Sequence, residues 1–128
     1  MPSLHLLNIA SQSNRWLAAR QSLIAGNVAN ANTPGFKAMD VEPFEKVLEI
    51  AGLPMAATAR GHLAPEPGAI TGSPTAGRGA TWDVYHSGNN VSLEQELLKS
   101  GEVNRAYSLN TAIMKSFHSM LLASARGG

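Results

Sequence analysis

The chain of 128 residues has no cysteine. Disulfides, thiolate nucleophiles and cysteine-based metal sites are therefore excluded. Aromatic residues make up only 5%, little for a chain that must build its own core. An excess of one sign of charge is also missing: ten basic and nine acidic residues leave a net charge of +1. That balance gives no electrostatic basis for binding nucleic acid or a charged membrane surface. No apolar run approaches the roughly 18 residues of a membrane span. The start, MPSLHLLNIASQSNR, has no leading Lys or Arg, and its apolar residues are interrupted by His5, Asn8 and Ser11. It lacks the pattern of a cleaved secretory signal, so the expectation is a soluble protein, or one exported without such a signal.

Catalytic signatures are equally scarce. The four histidines, His5, His62, His86 and His118, show no i, i+4 pairing and read as surface or partly packed residues rather than metal ligands. There is no G-x-S-x-G elbow, and Asp83 with His86 has no serine on a strand-to-helix turn to join it. The GSPTAG stretch, Gly72 to Gly77, is followed by Arg78-Gly79 instead of the Lys and hydroxyl residue of a phosphate loop, so it reads as a loop. Asn90-Val91-Ser92 fits a turn entering a helix cap better than a glycosylation sequon. Asp40, Glu42, Glu45 and Glu49 read as a solvated acidic face rather than paired carboxylates for acid–base work. The sequence thus predicts no enzyme, no cofactor, no metal, no nucleic acid and no small-molecule substrate.

What is present is helical periodicity. From about Ser3 to Ala31, apolar or small pairs recur seven apart: Ile9 with Ala10, Trp16 with Leu17, Leu23 with Ile24. Leu6 and Val28 extend the stripe, which is the mark of one helix face. Asn32-Thr33-Pro34-Gly35 stops it, because Pro34 disfavours helix at Thr33 and Pro-Gly suits the centre of a type II turn. A short amphipathic helix is predicted from about Asp40 to Ile50, carried by Val41, Phe44, Val47 and Leu48. Gly52 to Gly79 holds four prolines and six glycines, too little apolar material to offset ordering entropy, so it is expected to be extended or disordered. Thr81 to Tyr85 (TWDVY) suggests a short strand and Ser87-Gly88-Asn89-Asn90 a turn.

A second long helix is predicted from about Ser92 to Arg126. Ser92 and Gln95 fit a capping box, and Glu94 and Glu96 complement the helix dipole. Leu93, Leu97, Leu109, Ile113, Phe117, Met120 and Leu121 form its stripe. Lys115, His118 and Arg126 load its far end, Gly127 offers a stop, and Gly101 weakens it by about 1 kcal/mol relative to Ala. The expected fold is mainly α, with two long terminal helices in an antiparallel, coiled-coil-like core and a largely irregular middle. Its three parts are residues 1–36, 37–91 and 92–128. At 1.5 Å per residue the helices span about 40 and 50 Å. A two-helix hairpin buries little surface, so lateral packing against other chains is the expected remedy. The expected seam residues are Ile9, Trp16, Leu17, Leu23, Ile24, Val28, Leu109, Ile113, Phe117, Met120 and Leu121. Gly26, Asn27, Asn30 and Asn32 place poor helix formers in the last turns of the first helix. Two readings stand side by side: amides capping free carbonyls, or a surface where another helix approaches closely.

The segment Asn27 to Lys37, NVANANTPGFK, closely resembles the N-terminal signature of bacterial flagellar rod and hook proteins, and the preceding RQSLIAG fits as well. The short length, Lys37-Ala38-Met39-Asp40 followed by Phe44, and GNNVSLEQE from Gly88 resemble the FlgB-type proximal rod members. FlgC-type rod proteins, similar in length and plan, are the close alternative. The resemblance covers both ends and touches the middle only loosely, at Gly61-His62-Leu63. It implies a structural subunit of the basal-body rod, which crosses the periplasm and transmits torque. It also implies export through the flagellar type III apparatus without a cleaved signal. Implied partners are copies of itself, other rod subunits, and the rod-base adaptor and membrane-ring proteins. On this resemblance Asn27, Asn30, Asn32, Thr33, Pro34, Gly35 and Phe36 become contact residues. The reading from a different class is a membrane-surface amphipathic helix, but the first helix offers only Arg15 and Arg20 for its polar face.

Overall fold

A computed structural model describes residues 2–52 and 76–127. Helix α1 runs from Pro2 to Ala29, with proline at its first position, where a missing N–H costs nothing. Its end is built as the Pro-Gly sequence requires. Phe36 N–H donates to the Thr33 carbonyl at 3.2 Å, and Gly35 takes φ 74°, the left-handed value of a type II turn at its third residue.

A three-residue strand, β1 (Met39–Val41), follows and pairs antiparallel with β2 (Ala76–Arg78), Asp40 lying opposite Gly77. These strands correct two expectations. The short helix does not begin near Asp40: α2 runs from Phe44 to Gly52, after Pro43, while Met39 to Val41 are extended. The strand expected at Thr81 to Tyr85 does not form. Its Tyr85 is instead tied into a turn, donating from N to the Asn89 carbonyl and accepting from Gly88 N, both at 2.8 Å. Ala76-Gly77-Arg78 has little strand propensity of its own and is extended because β1 offers a ladder, a tertiary override of local preference. Of the segment expected to be irregular, residues 53–75 lie outside the described residues, and with them Gly61, His62, Leu63 and the first part of the GSPTAG stretch.

Helix α3, Leu93–Arg126, is 34 residues long. Ser92 caps it, accepting from Gln95 N at 3.4 Å. Only this half of the expected capping box exists, since the Gln95 amide reaches instead to the Ala80 carbonyl at 2.8 Å. Gly127 is the C-cap, its N–H donating to the Ala123 carbonyl, with φ −94°.

Helices α1 and α3 lie antiparallel. Asn27 meets Glu96, Gln21 meets Ser100 and Ser13 meets Asn110. The core between them is small: Leu17, Ile24 and Val103, flanked by Trp16 and Ala106. Each fully buried aliphatic side chain contributes roughly 1.5–3 kcal/mol. The side of α3 turned to α1 is not the stripe anticipated from Leu93 and Leu97, which are 53% and 75% exposed. It carries Glu96, Lys99 and Val103 instead. Polar contacts to Asn27 and Gln21 stand on this face beside the apolar contacts of Val103 and Ala106.

Candidate assembly interface

The end of α1 is clipped to the entry of α3 by amide side chains. Asn89, 1% exposed, donates its Nδ2 to the carbonyls of Asn30, Ala31 and Thr33 at 2.9, 3.0 and 2.8 Å. These carbonyls lie in the turn just past α1, and those of Asn30 and Thr33 also accept from Thr33 N and Phe36 N. The Asn89 Oδ1 accepts from Val91 N at 2.7 Å. Asn90 Oδ1 accepts from Ala38 N at 2.6 Å, and Gly35 N donates to the Ser87 carbonyl at 3.0 Å. Gly88 also takes a positive φ, 80°, and packs against the Gly35 backbone, 3.6 Å from its would-be Cβ. Both turns use glycine because each needs a positive φ there.

A second cluster joins α1, β1 and α3. Asn27 is also 1% exposed. Its amide donates to the Met39 carbonyl (2.7 Å) and to Glu96 Oε2 (3.0 Å), and accepts from Met39 N (2.9 Å). Lys99 Nζ lies 3.0 Å from Glu96 and 3.4 Å from Asp40. Arg20 grips Asp40 through Nε and Nη2, at 3.1 and 3.3 Å, and reaches Glu102 at 3.5 Å. The Arg20 guanidinium also sits over the Trp16 ring, 5.5 Å from its centroid, and Trp16 Nε1 donates to the Glu42 carbonyl at 2.7 Å. Burial pushes the Asp40 carboxyl up. The Arg20 hydrogen bond, the Val41 N–H and the charges of Arg20 and Lys99 outweigh it and hold the group below its ordinary value. Asp40 thus leaves the solvated acidic face read from the sequence, whereas Glu45 and Glu49 are exposed on α2.

The expected seam residues divide. Leu17 and Ile24 are buried within the chain, Ile9, Trp16 and Leu23 are half-buried, and Val28 is exposed. On α3, Phe117 is half-buried, while Leu109, Ile113, Met120 and Leu121 face outward, joined by Leu122. Among the motif residues, Asn27 is turned inward and Asn30 is half-buried, its amide donating to the Gly26 carbonyl at 2.8 Å. Phe36 is half-buried, and Asn32, Thr33, Pro34 and Gly35 lie on the surface. A cleft of about 380 Å³ opens beside them, lined by Ala31, Asn32, Tyr85, Ser87, Val91 and Leu93. Sequence reasoning missed Asn89, Glu96 and Lys99. The doubled asparagine just before a helix cap was the available signal for the first. No local pattern marks a carboxylate and an amine as inward-facing.

His5, His86, His118 and Asp83 are exposed, and no group of three potential metal-ligating side chains occurs among the described residues. No described helix is long and apolar enough to cross a membrane. The geometry is therefore that of a clipped helical hairpin with open apolar faces.

The family described as flagella basal body rod protein matches residues 7–37, ending on the last residue of NVANANTPGFK. The flagellar basal body rod protein FlgB of Agrobacterium fabrum is 39% identical over 132 residues, which cover 98% of this chain and 96% of that protein. The chain belongs to the FlgB family of flagellar basal body rod proteins. FlgB of Aeromonas hydrophila is 32% identical over 112 residues, covering 84% of this chain and 83% of its own. Both relatives carry the FlgB name, which settles the choice between the two short rod members. The signature of this FlgB-family chain thus spans the last turns of α1, the type II turn and the approach to β1. Those positions hold Asn27 at Glu96 and the carbonyls of the following turn at Asn89. Membership places the chain in the flagellar basal body as a structural rod protein.

Proposed function

We propose that this chain is a non-catalytic subunit of the proximal rod that assembles through the apolar faces its own fold leaves open. Copies of the chain and other rod subunits pack against those faces. The rod-base adaptor and membrane-ring proteins lie next to it, and the type III export apparatus delivers it. The observation that carries this reading is the set of exposed apolar side chains along the last half of α3. There Leu109, Ile113, Met120, Leu121 and Leu122 are all exposed, Leu109 at 61% and Met120 at 58%. So many large apolar side chains left exposed on one helix suit packing against neighbouring chains. The surface turn from Asn32 to Gly35 and the neighbouring cleft supply a second contact region.

The substitution Leu109→Asp tests it. Leu109 touches no buried core in the single chain, so isolated protein should keep its helix content and melting temperature. Buried against a neighbour, the charge costs several kcal/mol. A strain carrying the variant in place of the natural gene should lack rods in isolated basal bodies and should not swim. Normal rods and swimming would defeat the proposal.

A further inference from the structure

We infer that the cleft beside the Pro34 turn receives the C-terminal end of α3 from a second copy of this chain, with Leu122 entering it and Lys115 and Arg126 on either side. The inference rests on the reading that copies of the chain pack together, and it adds which two surfaces meet.

The net charge of +1 conceals a segregation. All nine acidic residues lie between Asp40 and Glu102, with four basic ones among them; residues 1–39 and 103–128 hold six basic residues and no acidic one. The fold brings those two acid-free segments together. The first half of α1 runs beside the last half of α3, Ser13 meeting Asn110 and Asn14 meeting Met114. Neither helix has an acidic side chain at this end of the hairpin. Arg105, Lys115 and Arg126 are exposed there and join none of the ion pairs among the described residues. Two exposed faces of α3 are distinct. Leu109, Ile113 and Met120, at spacings of four and seven, share one; Lys115, Leu122 and Arg126, at seven and four, share another. Leu122 is 45% exposed, an apolar side chain flanked by two cations.

The cleft is complementary to that second face. Ala31, Val91 and Leu93 give it apolar walls, beside Asn32, Tyr85 and Ser87. Asp83 and Glu94, both exposed, stand within two residues of the lining Tyr85 and Leu93. Lys37 reaches the same region but is engaged with the Gly88 carbonyl at 2.6 Å, so one occupied cation stands against two carboxylates. An apolar centre with a charged rim is how specific interfaces are built, and opposite potentials orient the partners. One chain cannot make this contact with itself. Leu122 lies 29 residues beyond Leu93 on the same helix, about 40 Å at 1.5 Å per residue. That is several times the screening length in physiological salt, so the charges at the two ends do not neutralise each other. A second copy brings them together. Because the cleft and the helix end are different surfaces, each contact leaves one of each free. The association is head-to-tail, adding copies in a ring or filament, rather than a two-fold dimer.

The absence of cysteine permits a direct test on the full-length chain. Ser87→Cys marks the cleft, and Ser119→Cys, three residues before Leu122, marks the end of α3; both positions are exposed. The two singly substituted proteins, one of them isotopically labelled, are mixed and oxidised, and the mass of each disulfide-linked dimer is measured. The mixed dimer should exceed its statistical share and both like dimers. Lys115→Glu with Arg126→Glu in the chain marked at Ser119 should lower its yield about fivefold or more, with helix content retained. Asp83→Lys with Glu94→Lys in the chain marked at Ser87 should then restore it. The inference is overturned if like dimers dominate, if the mixed yield ignores the charge reversal, or if the exchanged charges fail to restore it. Binding of the protein to anionic phosphatidylglycerol vesicles through Lys115 and Arg126, with no mixed dimer, assigns this end to a lipid surface and overturns it too. The rod reading is tested separately by Leu109→Asp, on the other face of α3. Rods lost in that variant with no mixed dimer sink only the head-to-tail contact; normal rods with a mixed dimer sink only the rod reading.

Discussion

Replacing Asn89 with Ala removes one amide group and with it four hydrogen bonds. Three of them hold the turn that follows α1, at the carbonyls of Asn30, Ala31 and Thr33, and the fourth accepts Val91 N. The four losses are unequal. Thr33 is exposed and Ala31 half-buried, so water can reach those carbonyls, and each lost bond there costs only its net worth, about 1 kcal/mol or less. Val91 is 2% exposed, and its N–H would be left buried without a partner, about 1–3 kcal/mol. An Asn side chain shares two N–H groups among the three carbonyls, so these contacts do not count as three full bonds. The expected total is about 2–4 kcal/mol. Against a marginal hairpin core this is a large share, on the order of 10 °C in melting temperature for a domain of this size. Thermal and urea unfolding of the full-length chain, followed by far-UV circular dichroism, would measure it. Asn89→Ala within about 0.5 kcal/mol of the parent, the usual range for an unimportant surface change, would refute the claim that this side chain joins the two termini.

Three further outcomes follow from other contacts. Asp40→Asn should destabilise by about 1–2 kcal/mol at pH 7, a partly exposed ion cluster being worth less than a buried one. Asp40 titrates below its ordinary value in the folded chain. Its stabilisation is therefore complete above about pH 4, the unfolded value, and lost as pH falls through the lower folded one. Urea midpoints of parent and variant should converge toward pH 3, and a gap that stays constant with pH would contradict this. Gly101→Ala should stabilise by about 1 kcal/mol, since glycine is a poor helix former and a Cβ there meets nothing within 4 Å; a lowered melting temperature would show that the space is needed. Leu17→Ala should cost about 2–5 kcal/mol, because Leu17 is 3% exposed at the centre of the core, and a loss below 1 kcal/mol would mean that the core does not hold the hairpin.

Much of this molecule is local and was legible as such. Heptad pairs from Ile9 to Ile24 specify α1, because spacing of three and four places side chains on one helix face wherever the chain goes. Pro34-Gly35 specifies the turn, because proline restricts its neighbour and glycine alone accepts φ 74° without strain. Ser92 specifies the start of α3 by reaching one of its free N–H groups. The signature NVANANTPGFK pointed to the family for the same reason: its residues are contiguous.

Tertiary structure decided whatever depends on partners distant in sequence. Asp40 reads as one of four solvated carboxylates until Arg20 and Lys99 are brought beside it. Ala76 to Arg78 is a strand only because Met39 to Val41 lies next to it. TWDVY, with the stronger propensity, is left unpaired, Trp82 standing 62% exposed. Apolar periodicity established that α3 has apolar residues to bury, but not which of its faces α1 would take. The face turned to α1 holds a buried carboxylate and a buried amine, Glu96 and Lys99, with Asn27 bonded to the first, and none of the three announces its burial locally. By itself the sequence determined two terminal helices and the family they belong to; their mutual register, and the face of α3 left open to neighbours, came from contacts made across roughly 70 residues of chain between Asn27 and Glu96.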